Sequence, residues 1–353
     1  MNGKTSSPGH LLTIGFDGVK YTPELGKRTR DLEPGGFILF ARNIVNAAQT
    51  AQLTADLTKL TLDVAGVMPF ICVDQEGGRV SRMPRDYEFF VWPSGAPSRK
   101  HWPATTYLFP TARQLAADGS EELVEEVHRH MGHALIRLGF NVDFAPVLDL
   151  DTNAANPIIG DRSFSADPGA ASRLARAALR GLRSAGLLTC GKHFPGHGGT
   201  SLDSHLDLPV DSRAANRFRD AELVPFRMAV EEHVEFIMTA HVMYPAFDAK
   251  LPATLSKSIV TGLLREELGY DGIIVSDDLD MKALSDRWPD EEAARFALLA
   301  GCDHLLACHD PRRQYAAHGA IRRLLDDGEL TDSDLRARLD RITTAKARLT
   351  QNG

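Results

Sequence analysis

The sequence predicts an α/β fold, a (β/α)8 barrel of the TIM type that makes a single domain of residues 1–353. Three observations lead there. Eight short apolar runs recur along the chain. They are nearly continuous rather than alternating, as expected of parallel strands covered on both faces. Amphipathic helical patterns separate most of them, the order that builds a parallel sheet. Six of the runs also end in ionisable residues, and the C-terminal end of such a barrel is where catalytic groups gather. An open doubly wound sheet is the runner-up, but no GxGxxG follows the first run.

The runs are LLTIGF (11–16), GFILF (36–40), FICVD (70–74), VDFAPVLDL (142–150), LLTCGKH (187–193), FIMTAH (236–241), GIIVSDD (272–278) and HLLACH (304–309). Before the fourth, SEELVEEVHRHMGHALIRLGF sets Leu123, Val127, Met131, Leu135 and Leu138 on one stripe, with Gly139 as its stop. AASRLARAALRGLRSAG precedes the fifth and ends at Gly186. SKSIVTGLLREELG precedes the seventh and DEEAARFALLAG the eighth. Two charged helical patterns, 311–327 and 331–349, close the chain. Residues 84–119 break the rhythm and read as one irregular insert, a length that usually signals function or a covering flap.

A composition with 43% hydrophobic and 25% charged residues is ordinary for a globular protein. The net charge of −7 disfavours a general nucleic-acid binder. No basic head with an apolar core opens the sequence, and no run is long enough to span a membrane. Cys72, Cys190, Cys302 and Cys308 read as buried free thiols in a reducing, cytoplasmic compartment.

Polar groups mark the run ends: Asp74 with QEGGRVSR, VLDLD with NPIIGDRSF, Lys192-His193, His241, Asp277-Asp278 and His309. One histidine at a strand end is more often structural than catalytic. Adjacent Asp277 and Asp278 point to opposite sides of a strand, so one can face a pocket while the other caps or pairs outside it. Two chemistries compete. His193, His197, His241 and Asp277 superficially match a zinc hydrolase set, but the first run ends in GFDG and lacks the HxH pair. Glycosidic cleavage needs an anion beneath the anomeric carbon, an acid at the leaving oxygen and charged groups for the hydroxyls. Asp277, the Asp203/His205 pair and Asp74 with its basic neighbours supply those parts.

DQEGGRVSR, NVDFAPVLDLD, IIGDRSF, GKHFPGHGGTSLDSH, MTAHVMYP and IIVSDDLDM follow one another in this order. Together they resemble the β-N-acetylhexosaminidase branch of the family 3 glycoside hydrolases, from about residue 11 to 310. The resemblance implies a retaining mechanism with Asp277 as nucleophile, His205 as the proton-transferring group and Asp203 as its partner. An imidazole acid/base departs from the two-carboxylate scheme, but it titrates near neutrality and a carboxylate can orient it. By the same resemblance, Asp74, Arg82, Arg162, Lys192 and His193 fall on positions that bind the terminal N-acetylglucosamine in relatives. Gly196, Gly198 and Gly199 let the loop carrying Asp203 and His205 fold tightly and move. No metal and no cofactor is implied. The implied partner is a small carbohydrate, and in single-barrel relatives the role is trimming N-acetylglucosaminyl-1,6-anhydro-N-acetylmuramyl peptides of recycled cell wall. The oligomeric state stays open, as do a β-glucosidase, a phosphorylase and a sugar-binding protein without turnover.

Smaller expectations complete the reading. His197 makes a structural hydrogen bond inside its loop, His241 supports the pocket, and His309 stands behind it. In the insert, Tyr87, Phe89, Phe90, Trp92, Trp102, Tyr107 and Phe109 mostly pack on the barrel, with Trp92 or Trp102 expected on the leaving-group side or at a neighbouring subunit's site.

Overall fold

A strand of three or four apolar residues is stable only where neighbours satisfy both of its edges, and a closed ring does this for every strand at once. The computed structural model, which describes residues 7–84, 86, 102–103, 105–204 and 206–349, contains that ring. Its strands are β1 (Leu12–Ile14), β2 (Gly36–Leu39), β3 (Phe70–Val73), β4 (Val142–Asp143), β5 (Leu188–Phe194), β6 (Phe236–Thr239), β7 (Ile273–Asp278) and β8 (His304–Ala307). They follow in chain order and β8 returns to β1, with Leu12 opposite Leu305. Neighbours pair in parallel throughout. Every residue of β1, β2 and β3 is buried, as the continuous apolar runs predict.

The fourth run corrects the sequence reading. Of nine residues read as strand, only Val142 and Asp143 form a ladder. Pro146 has no N–H to donate, and pairing resumes only as a single bridge between Val147 and Lys192. Phe144 N–H still donates to Val73 O and Ala145 O accepts from Cys190 N–H, both at 2.9 Å, and the residues after Pro146 form the shelf that carries Asp149.

The helices lie where the stripes put them. Glu121–Arg137 starts at Ser120, whose hydroxyl accepts the Leu123 N–H at 3.1 Å, and buries Leu123, Val127, Met131 and Leu135. It packs on Pro168–Ser184, capped by Asp167. Gly139 and Gly186 end the pair in left-handed conformation. Ser258–Glu267 is wound with wide π-type bonds, Leu268 N–H reaching Leu263 O at 3.0 Å. A short antiparallel pair, Met243–Tyr244 with Asp248–Pro252, lies outside the ring.

The described end of the insert departs from the irregular reading. Its end is a helix, Ala112–Asp118, opened by a capping box in which Thr111 and Gln114 exchange side-chain and backbone bonds at 3.0 and 3.1 Å. Trp102 packs against Phe109 and His130, with ring centroids 5.6 and 5.8 Å away. Tyr87, Phe89, Phe90 and Trp92 lie outside the described residues.

At the N-terminal end of the barrel, Asp332–Leu349 closes the floor. Lys346 from this helix donates to Gly35 O at 2.9 Å and lies 4.7 Å from the centre of the Phe70 ring. All four cysteines are buried and unbridged. Among the described residues no helix is long and apolar enough to cross a membrane.

Candidate active site

At the opposite end, the strand termini surround a cavity of about 580 Å³. Asp74 follows β3, Lys192 and His193 belong to β5, Asp277 and Asp278 end β7, and Arg82, Arg162 and Asp203 arrive on the connecting loops. The β5–β6 register slips between Gly191 and Phe194, so Lys192 and His193 sit at the irregularity. Such a slip re-aims side chains next to a site.

Opposite charges alternate along one wall. Lys192 Nζ meets Asp74 Oδ1 at 2.7 Å and Glu76 Oε1 at 2.6 Å. Arg162 grips Glu76 with Nε and Nη2 at 2.7 and 2.8 Å. Burial opposes charge on Glu76, Lys192 and Arg162. For Glu76 the two cations win, and its carboxyl is held well below the usual range. Lys192 is likewise held above the ordinary lysine value by Asp74 and Glu76, despite its burial. Asp74 is the more accessible carboxylate, its side chain 21% exposed against 5% for Glu76. It therefore offers an acceptor to a ligand while Glu76 stays committed.

A second acid organises the histidines. Asp149 is buried, and burial raises its carboxyl, but His193 and His197 outweigh that and keep it low. Its Oδ2 accepts from His193 Nδ1 at 2.6 Å, and its Oδ1 accepts the His197 N–H at 2.6 Å. The bond to Nδ1 fixes the tautomer, so His193 presents Nε2 away from Asp149. His197 is buried neutral, pushed down to about 4. Its Nδ1 meets Thr200 Oγ1 at 2.9 Å and its Nε2 meets Ser204 Oγ at 3.0 Å. Gly198 is required here: a Cβ would stand 1.6 Å from Leu150 O.

Across the cavity, Asp277 Oδ1 accepts the N–H of Asp278 at 2.8 Å. Asp278 Oδ1 takes the N–H groups of Cys308 and Asp280 at 3.0 and 3.1 Å, tying β7 to β8. Burial, then Asp280 and Asp277, push the Asp278 carboxyl up to about 8. The neighbouring carboxylates thus make different contacts, Asp278 bridging to β8 while Asp277 lines the cavity. His241 Nε2–H donates to Asp278 O at 3.0 Å, and its Nδ1 meets Thr254 Oγ1 at 2.8 Å. His309 Nε2 is 3.4 Å from Asp278 Oδ2.

Residues 99–345 match the family described as Glycosyl hydrolase family 3 N terminal domain. The beta-hexosaminidase of Neisseria meningitidis serogroup C (strain 053442) is 38% identical over 304 residues, 86% of this chain and 79% of that protein. That of Alkalilimnicola ehrlichii is 38% identical over 326 residues, 92% and 87% of the two chains. The chain belongs to glycosyl hydrolase family 3. Among solved structures, a family 3 beta-N-acetylglucosaminidase from Paenibacillus sp. str. FPU-7 superposes with a TM-score of 0.90 at 36% identity. All of this chain is covered, and it spans 64% of that longer one.

The barrel of this family 3 glycosidase brings Asp74, Arg82, Arg162, Lys192, His193, Asp203 and Asp277 to one cavity. Arg82 anchors its own N–H on Gln75 Oε1 at 2.8 Å, and its Nε has no partner among the described residues. His205 lies outside the described residues. The loop glycines do pack tightly, and His197 makes its structural bonds. Trp102 is not among the described residues that line the cavity. Sequence reasoning missed Glu76 and Asp149. Both sit inside quoted motifs, and an acid inside an apolar or glycine-rich run was the available signal.

Proposed function

We propose that the enzyme removes terminal β-linked N-acetylglucosamine with retention of configuration. The observation that carries this is the ion-paired chain Asp74–Lys192–Glu76–Arg162, with Asp74 its most exposed member, which shares a single cavity with Asp277. Alternating fixed charges suit a ring of vicinal hydroxyls, each of which both donates and accepts. The 38% identity to proteins named beta-hexosaminidase supports N-acetylhexosamine over glucose.

In the first step Asp277 attacks C1, and the bond from C1 to the leaving oxygen breaks. His205, oriented by Asp203, gives its proton to that oxygen. In the second step His205 takes a proton from water, whose oxygen displaces Asp277 and releases the sugar. Asp74, Arg82, Arg162, Lys192 and His193 hold the sugar. The natural substrates in this reading are recycled cell-wall fragments, met in the cytoplasm.

The test is a hydrolysis screen with aryl β-N-acetylglucosaminide, β-glucoside and β-N-acetylgalactosaminide, with and without phosphate. Release of N-acetylglucosamine without phosphate dependence is expected. A dominant β-glucoside activity, or a sugar phosphate as product, overturns it.

A further inference from the structure

Ser204 stands between the two residues assigned to proton transfer, Asp203 and His205. It is buried, in a stretch where Leu202 and Leu206 on either side are exposed. Two contacts hold it. Its Oγ lies 3.0 Å from His197 Nε2, and its carbonyl accepts the Ala283 N–H at 3.3 Å. Ala283 lies in the helix Lys282–Ser285, just after the strand that ends in Asp277 and Asp278. Ser204 therefore touches the sugar-holding side and the nucleophile side of the cavity at once.

Behind His197 the connection continues. The His197 N–H reaches Asp149 Oδ1, and Asp149 Oδ2 takes His193 Nδ1. Four residues thus form one path, Ser204–His197–Asp149–His193, with each link at 3.0 Å or less. His197 joins the halves through two different groups, its ring Nε2 toward Ser204 and its backbone N–H toward Asp149. Kept neutral by burial, it has one N–H and one lone pair. The Thr200 and Ser204 hydroxyls can each turn to match either tautomer.

We propose that Ser204 is a positioning residue: its hydroxyl latches the proton-transferring loop onto His197, and the shared carboxylate of Asp149 ties that latch to the sugar-holding His193. The inference rests on the acid/base assignment given above. The hydroxyl touches neither the sugar nor the reacting atoms. It sets where Asp203 and His205 stand, so losing it should harm the proton transfer and spare the binding of the sugar ring.

The test uses the full chain with Ser204→Ala and the conservative Ser204→Thr. Amide exchange over 199–207, read by mass spectrometry, should quicken at least 5-fold in S204A and return towards wild type in S204T. Unchanged exchange overturns the latch, whatever the activity. In kinetics, S204A should lose at least 10-fold in kcat/KM on N-acetylglucosaminides with poor leaving groups. It should lose under 3-fold on an activated dinitrophenyl glycoside. Inhibition by N-acetylglucosamine should stay within 2-fold. An equal loss across leaving groups, or weakened inhibition with no leaving-group dependence, overturns the positioning role. Absence of turnover in wild type counts against the proposed function alone, since the exchange result still decides the latch.

Discussion

Arg162 holds Glu76 through two parallel bonds, Nε to Oε2 at 2.7 Å and Nη2 to Oε1 at 2.8 Å, with both side chains at most 10% exposed. Lys192 adds a third contact to the same carboxylate. In Glu76→Gln the amide cannot neutralise either cation, and Asp74 is left to serve Lys192. Breaking a buried ion pair from one side costs about 3–5 kcal/mol, so urea unfolding at pH 7 should show a loss of that order. The sign with pH follows from the depressed carboxyl. Its stabilisation is complete above the ordinary glutamate value of about 4.3 and is lost as pH falls through the lower folded value. The gap between variant and wild type should therefore be constant from neutral pH down to about 5 and narrow below about 4. A loss under about 1 kcal/mol at pH 7 would refute the account.

Asp277→Ala should reduce turnover by roughly 10³-fold or more while melting within a few degrees of wild type. A fluorinated glycosyl donor should label the peptide carrying Asp277 in the wild-type enzyme. Mass spectrometry that places the label on Asp278 rejects the nucleophile assignment.

Asp278 behaves oppositely to Glu76. Its carboxyl is raised to about 8 by burial and by Asp280 and Asp277, so the folded state binds a proton that the unfolded chain releases near about pH 4. Stability then falls as pH rises between those values. Asp278→Asn keeps the acceptor for Cys308 and Asp280 and cannot titrate. Plotted from pH 5 to 8, its melting temperature should decline less steeply than that of wild type. Parallel curves contradict the raised carboxyl.

Three described histidines make side-chain hydrogen bonds. His193 gives Nδ1 to Asp149, and both nitrogens of His197 and of His241 have partners. Among the described residues no group of three or more His, Cys, Asp or Glu could hold an ion. Activity should survive prolonged chelation. Loss on chelation with recovery on adding zinc reverses this prediction.

Lys346 gives a stability prediction far from the cavity. Burial pushes its amine down to about 7. Such a shift costs on the order of 4 kcal/mol at pH 7 and below, relative to a solvated lysine. Its bond to Gly35 O and its seat over Phe70 return about 1–3 kcal/mol. Lys346→Met should therefore melt higher than wild type at pH 6. Because the penalty fades as pH rises from about 7 to 10, the advantage should shrink over that range. Lower melting at pH 6 means the hydrogen bond outweighs the desolvation.

Apolar continuity identified all eight strands because burial on both faces leaves a local mark. It overran at 142–150, where Pro146 interrupts the ladder but not the hydrophobicity. The helix Ala112–Asp118 was hidden among prolines and aromatics, although Thr111 and Gln114 announce its cap. At the site, residue types at strand ends were enough to collect Asp74, Lys192, His193 and Asp277. Glu76 and Asp149 escaped because their roles exist only through contacts 86 and 44 residues away. A buried acid with its partner far along the chain looks like any other acid.

The pairing of Leu12 with Leu305 also dictates a schedule for biosynthesis. At roughly 5–20 residues per second, β1 waits about 15–60 seconds for the strand that completes its ladder. Throughout that time the nascent sheet has two open edges, each a template for pairing with another chain. The helix floor carrying Lys346 emerges later still. A ribosome that stalls before residue 305 therefore releases a sheet that cannot close, and slow translation upstream of β8 should raise the demand for chaperones without altering the finished enzyme.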